Sequence, residues 1–452
     1  MSNVGNAELL QKARDLKKQN TAYKRIASLF DVGSFVEIDC FAKSGEKYTE
    51  AVAGYGTIEG CPAYVFAQNS DIDGGAMSKA QASKINKVYS LAVKTGAPII
   101  GIYDSIGGRL NEGNDLLAAY GEILLNSNHL SGVVPQISLI LGPCTGTSAM
   151  IAAGADIVIM SDKAELTIAT NGEDGSADEA AQFGICHIKG GNEENTIATT
   201  RRLIMILPQN NLSSDVMLNI QSVSHPVSLT EESSISEMIA ATCDDSSFIE
   251  LGEKFGAPTI TGLAEIGSST AGIVALSGDI DADSCSKAAR FVRFCDAFSI
   301  PVVTFVNAER FVSLREASKL SSSYSEATTV KVTVITGSAY GPVYVAVAGR
   351  GANADYTMAL PNAVISQLSP ETAAIFLWNE RLSGSANPVE DRKKLIEEYK
   401  RTKATPFEAA ADGFIDDIIL PEETRFKIIA SLEMLSGKRT TGLPKKHSNI
   451  QL

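Results

Sequence analysis

The chain has 452 residues, with 39 Lys+Arg against 53 Asp+Glu, a net charge of −14, and 44% hydrophobic residues. That is enough apolar material for two ordinary domains and excludes a single small module. The acidic balance argues against a nucleic-acid binder or a surface resting on anionic lipid, since both need clustered Lys and Arg.

The N-terminal run MSNVGNAELLQKARDLKKQN is polar and has no apolar h-region. No later stretch of about 18 residues is free of polar breaks, so no membrane insertion is expected and the cytoplasm is the expected location. A helix is predicted over Lys79 to Lys94, with Ile85, Val88, Leu91 and Ala92 at helical spacing. The strand GAPIIGIYD follows and runs into a Gly-bearing turn, DSIGGRLNEG, with Gly107, Gly108, Arg109 and Glu112. Two readings of Arg109 stand open, a phosphate contact in substrate binding or an ion pair with Glu112 that holds the loop.

Next comes the strand-like run ISLIL and a second Gly turn, GPCTG, with Gly142, Pro143 and Gly146 ahead of the small-residue segment Thr147 to Ala155, read as a helix. A strand-to-helix turn aims successive backbone N–H groups outward, and such donors stabilise an oxygen on which negative charge develops. The bland reading is a tight turn and nothing more. Cys144, inside this turn, reads as a small buried filler, because no His stands nearby in sequence to activate it. Neither turn carries GxGxxG or a P-loop signature.

After the strand DIVIM, the stretch from Pro208 to Ser247, containing QSVSHPVSLTEES, is rich in Ser, Asn and Glu and reads as a linker. Beyond it the pattern starts again. A helix over Ser286 to Phe298 precedes AFSIPVVTFVNA, the counterpart of KTGAPIIGIYDS, and VKVTVITGSAYG is the counterpart of VPQISLILGPCTG. The offset between Pro98 and Pro301 is 203 and that between Gly146 and Gly341 is 195, so the second half has lost about eight residues in its connection. Continuous Val/Ile/Leu strands alternating with helices give an α/β fold of two homologous domains, placed at 1–225 and 226–452. Near the end, Asp416 and Asp417 read either as an acid/base pair or as a turn with solvated charges.

Seven scattered cysteines without a CxxC pair read as reduced thiols. With four His, none near another, a metal centre or a Ser-His-Asp triad has little raw material and no metal is expected. The chemistry is therefore expected to lean on backbone groups or a carried cofactor.

GAPIIGIYDSIGGRLNEG, GVVPQISLILGPCTG, SKAARFVRFCDAFSIPVVTFV, KVTVITGSAYG, ATPFEAAADGFIDDIILPEETR and KKHSNIQL resemble, in order, the carboxyltransferase (β) subunit of biotin-dependent acyl-CoA carboxylases of the propionyl-, methylmalonyl- and acetyl-CoA type. The resemblance runs from about Arg25 to Leu452. It implies two tandem crotonase-like (ClpP/crotonase) domains, the first binding acyl-CoA and the second receiving biotin. It also implies a biotin carboxyl carrier protein and a biotin carboxylase subunit as partners, and a homo- or hetero-oligomer, usually a hexamer built from dimers. The implied reaction moves CO₂ between carboxybiotin and the α-carbon of a short-chain acyl-CoA through an enolate, with backbone N–H donors for each oxyanion.

Carried over by motif, the acyl-CoA donors are Gly146 and Thr147, with Gly107, Gly108, Arg109, Gly142 and Pro143 as substrate-binding candidates. The biotin side departs from the family, which reads AYGGAY where this chain has Ala339-Tyr340-Gly341-Pro342-Val343-Tyr344. The expected pair falls on Pro342 and Val343, and Pro has no N–H. The family's VDVPGFLPG appears as Val306 to Leu314, its flexible Gly replaced by Arg310. Three readings follow: an active carboxyltransferase with donors rebuilt from Gly341 and Val343, a non-catalytic or half-site partner in a hetero-oligomeric carboxylase or decarboxylase, or a biotin-independent crotonase-like acyl-CoA enzyme.

Overall fold

In the computed structural model, which describes residues 5–169, 175–213, 229–383, 385, 387–446 and 448–449, the chain divides into two units, Met1–Ser213 and Ser214–Leu452. The 225/226 boundary read from the sequence lies outside the described residues.

Each unit is built on an eight-stranded sheet, and the strand order is the same in both. In the first, Val36–Glu37 pairs with the antiparallel hairpin Ala51–Ile58 and Cys61–Gln68. Four parallel strands follow across the sheet: Ile99–Ser105, Gln136–Thr145, Ile157–Ser161 and Ile188–Gly191. The short strand Glu165–Thr167 pairs with the last residues of Gln136–Thr145. In the second unit the same positions are taken by Ile249–Glu250, Thr259–Ile266, Ser269–Ile280, Val302–Phe311, Lys331–Tyr340, Tyr356–Ala359 and Asp417–Ile418, with Val364–Ser366 beside the end of Lys331–Tyr340.

The apolar runs become central parallel strands because both faces are covered, and every residue of Ile99–Ser105 is buried. The predicted helix at Lys79 is observed as Lys79–Thr95. Ser78 starts it by accepting the Gln81 N–H at 3.1 Å, and Gly96, left-handed at φ 67°, stops it. Ile85, Val88, Tyr89 and Ala92 form its buried face, each large side chain contributing about 1.5–3 kcal/mol. In the second unit Asp281 caps Ala282–Ala297 in the same way, at 2.8 Å to the Ser284 N–H.

The duplication is written into individual contacts. Asp31 accepts the N–H groups of Glu59 and Gly60 at 2.9 and 3.0 Å, and Asp244 those of Gly267 and Ser268 at 3.1 and 3.0 Å. Arg201 binds the Leu29 carbonyl and Asp31, as Arg425 binds the Thr242 carbonyl and Asp244. Lys84 is buried against the Ala51 carbonyl and Glu37, while Lys287 reaches the Thr259 carbonyl beside Glu250.

The eight residues missing from the second unit are also accounted for. The first unit inserts a 3-10 turn, Leu110–Glu112, before the 17-residue helix Asn114–Leu130. In the second, Val302–Phe311 runs almost directly into a 13-residue helix, Leu314–Glu326. The shortfall is thus the turn plus about one helical turn.

Asp416 and Asp417 act separately. Asp416 accepts the Thr357 N–H at 2.7 Å, the place His187 Nδ1 holds against Val158 N–H, and Asp417 pairs with Lys427 at 2.7 Å in a short strand rather than a turn. All seven cysteines are free thiols, five of them buried. Among the described residues no helix is long and apolar enough to cross a membrane.

Candidate active site

The strand Gln136–Thr145 ends at Gly146, whose φ of 64° and ψ of −132° suit a residue without Cβ, and the helix Thr147–Ala153 begins at once. The Gly146 N–H donates to the Thr167 carbonyl at 2.9 Å. This corrects the expectation that Gly146 and Thr147 form a donor pair, because the Gly146 amide is engaged in fastening the turn to Glu165–Thr167. The Thr147 N–H, first in its helix, has no intrahelical acceptor, and Thr147 is half-buried at the turn.

Gly142 and Pro143 lie inside the strand rather than in a loop, with Pro143 paired to Glu165. A Cβ on Gly142 would collide with the Asp104 carboxylate. The glycine is therefore required by close packing. Asp104, buried at the end of Ile99–Ser105, accepts Arg25 at 2.5 Å and Ser70 Oγ at 2.7 Å, and Arg25 forks onto Glu193 at 3.0 and 2.9 Å. This ion-pair cluster holds the strand ends beneath the turn.

The other Gly turn lies against the first, since a Cβ on Gly107 would come within 3.3 Å of Thr145 Oγ1. Gly107, at φ 120°, has its N–H on Ser105 Oγ at 3.2 Å, and its carbonyl accepts the Met77 N–H at 2.8 Å. Arg109 N–H donates to the Met77 carbonyl at 2.9 Å. An extended backbone alternates its polar groups, so with Gly107 and Arg109 turned toward Met77 the Gly108 N–H turns away.

Arg109 itself is tied to Glu50 and Asp73 and reaches Ser44 Oγ at 2.8 Å. Arg109 is thus held by ion pairs, but the expected partner is corrected: Glu112 instead accepts the Lys79 N–H at 2.6 Å, the first amide of the helix Lys79–Thr95. Burial pushes the Cys144 thiol up, and it is fully buried, which fits a filler and not a nucleophile.

The second unit repeats the turn with altered chemistry. Gly341, at φ 39°, donates its N–H to the Ser366 carbonyl at 2.9 Å, as Gly146 does to Thr167. Rebuilding a donor pair from Gly341 and Val343 is therefore corrected, since only the Val343 amide is left there. Pro342 opens the helical turn, which widens into a π-helix over Tyr344–Ala348, with the Gly349 N–H on the Tyr344 carbonyl at 2.9 Å. Where the first unit has Gly107 and Gly108, this one has Arg310 and Phe311 in an extended strand paired with Asp279 and Ile280. Arg310 forks onto Asp279 at 2.6–3.0 Å.

Beside Gly341 opens a cavity of about 900 Å³, walled by Tyr344, Trp378 and Tyr399, with Ser366, Gln367, Lys403, Glu408 and Asp412 as polar groups. The wall is fixed: Trp378 sits at a break in the helix Pro370–Ser383, edge-on to Tyr399 at 5.9 Å and under the Arg381 guanidinium at 5.0 Å. Of these wall residues only Tyr344, within the Ala339–Tyr344 motif, stood out in the sequence. The usable signal was the repeat itself, which carried past the helix pairs Thr167 with Ser366 and so places Gln367 at the turn.

A family model, the carboxyl transferase domain, matches residues 15–450. The chain is 35% identical to the methylmalonyl-CoA decarboxylase subunit alpha of Veillonella parvula, over 99% of this chain and 96% of that one. It is also 35% identical to the propionyl-CoA carboxylase beta chain of Saccharopolyspora erythraea, over 96% and 91%. Among solved structures it is similar to the transcarboxylase 12S hexamer with methylmalonyl-coenzyme A and methylmalonic acid bound, at TM-score 0.92 and 30% identity, covering 100% of this chain and 99% of that one.

Proposed function

Because the chain belongs to the carboxyl transferase domain family, we propose that it exchanges a carboxyl group between the α-carbon of a short-chain acyl-CoA and biotin borne on a partner subunit. The observation that carries this reading is the pair of Gly turns in the first unit, which present backbone amides and no titrating side chain. Thr147 N–H and Gly108 N–H are the two donors left for a thioester oxygen. They strengthen as negative charge grows on that oxygen, so they favour the enolate over the ground-state ester. Gly107, Arg109, Gly142 and Pro143 act through them, by holding the two turns together.

The second unit takes the biotin ring, and its cavity, walled by Trp378, Tyr344 and Tyr399, has room for a bicycle with one flat ureido ring and one apolar thiophane ring. Biotin supplies the carboxyl carrier when bound. A biotin carboxyl carrier protein and a biotin carboxylase subunit are the partners this reading calls for, with the chain itself in a dimer-based hexamer. One observation favours a second reading, a half-site subunit: Pro342 removes a helix-end amide from the second unit. The two separate in one assay of purified protein with methylmalonyl-CoA and free biotin. Biotin-dependent formation of propionyl-CoA supports the first reading. Turnover that emerges only on co-expression with a paralogous subunit supports the second.

A further inference from the structure

The two units differ at two neighbouring positions in a complementary way. In the first, the residue after the turn glycine is Thr147, which has an N–H, and the residue after the carbonyl that fastens the turn is Ile168. In the second, the residue after the turn glycine is Pro342, which has none, and the residue after the fastening Ser366 carbonyl is Gln367. The positions correspond by register, since Thr145 pairs with Thr167 as Tyr340 pairs with Ser366. One unit has a backbone amide and an apolar side chain; the other has no amide and a carboxamide.

Gln367 is exposed on the cavity beside Gly341, and its backbone carbonyl lies 2.6 Å from where a Gly341 Cβ would stand. The cavity is of ligand size, at about 900 Å³, and its aromatic walls suit a flat ring. A ring that carries a single urea or amide oxygen needs one donor among those walls. Resting on the carboxyl-transfer reading above, we propose that the Gln367 carboxamide is that donor: its N–H₂ binds the carbonyl oxygen of the cyclic urea held in the second unit, replacing the amide that Pro342 lacks. The assignment makes Gln367 a residue that touches the ligand, and it makes the Pro342 substitution tolerable in this chain.

Trp378 is the single tryptophan of the chain and forms part of the cavity wall, so its fluorescence reports occupancy directly. The full-length protein is titrated with biotin and with 2-imidazolidone, the bare cyclic urea. Wild type shows a saturable change with both. Gln367→Leu, which removes the carboxamide at an exposed position, weakens both about five- to tenfold, the worth of one neutral hydrogen bond. Adding Pro342→Ala to Gln367→Leu returns an N–H to the helix end and restores binding to within about twofold of wild type.

The proposal is overturned if wild type gives no saturable change, if Gln367→Leu binds as wild type does, if the double variant is not rescued, or if Lys403→Met abolishes binding while Gln367→Leu does not. A parallel assay with methylmalonyl-CoA and free biotin keeps the two ideas apart. Biotin binding that depends on Gln367 without propionyl-CoA formation sinks the carboxyl-transfer reading alone, whereas transfer undiminished in Gln367→Leu sinks the assignment of Gln367 alone.

Discussion

Thr147 and Pro342 occupy the same place in the two units, and Thr147 has the backbone N–H that Pro342 lacks. Thr147→Pro imposes on the first unit the condition native to the second, and Pro at the first helical position is sterically tolerated. The variant is expected to fold normally by circular dichroism while its turnover of acyl-CoA falls on the order of 10²–10³-fold; a rate within threefold of wild type would remove Thr147 from the site. Asp31 gives a second residue-scale test. The Gly60 and Glu59 amides, with help from Thr57 and Arg201, hold its carboxyl down to about 2. Since the unfolded carboxyl titrates near 4, its contribution is full above about pH 4 and is lost as pH falls through about 2. Urea midpoints should therefore drop between those values, and Asp31→Asn should flatten that drop; equal slopes would contradict the clamp. At this scale the sequence was legible for residue type and illegible for hydrogen-bond direction. Gly146 stood out as a glycine, but only the fold shows its amide turned to Thr167.

Strand ends and the helices that follow them carry the proposed donors, and Gly142 and Gly337 fix how closely the strands approach. A Cβ on Gly142 would collide with Asp104, and one on Gly337 would collide with Asn307 in the second unit. The neighbours differ in freedom: Asp104 is buried and engaged by the charged Arg25 and by Ser70, whereas Asn307 is exposed and accepts the Ser338 N–H at 2.9 Å. Gly142→Ala is thus expected to cost about 1–3 kcal/mol, as overpacking does, and Gly337→Ala distinctly less. Thermal or urea denaturation of the two variants checks this, and a larger loss at Gly337 would refute the ordering. The parallel strands and the helix at Lys79 were legible because their apolar periodicity is unbroken. The cavity wall was not, because Trp378 and Tyr399 come from an inserted helical pair whose position depends on tertiary packing. The loss of eight residues was legible as an offset, and the structure divides it between a 3-10 turn and a shortened helix.

In the whole molecule, one unit occurs twice with the same strand order, and its copies differ at the proposed donor position while keeping the clamps. Asp31 with Arg201 and Asp244 with Arg425 preserve the scaffold; Thr147 and Pro342 mark the divergence. The exposed apolar residues around the first turn, Ile106, Leu110, Met150 and Ile168, suit a second copy of the chain. On the oligomer proposed above, light scattering should return a multiple of the 47.8 kDa subunit mass, and a monomer at micromolar concentration would contradict it. The central claim is that backbone amides of the first unit run a biotin-dependent exchange of the acyl-CoA carboxyl group. Its most direct test is chromatographic measurement of propionyl-CoA formed from methylmalonyl-CoA by the purified full chain, with and without free biotin, for wild type and Thr147→Pro. Product that requires biotin and is nearly lost in the variant is expected; product independent of biotin, or undiminished by Thr147→Pro, would overturn the claim.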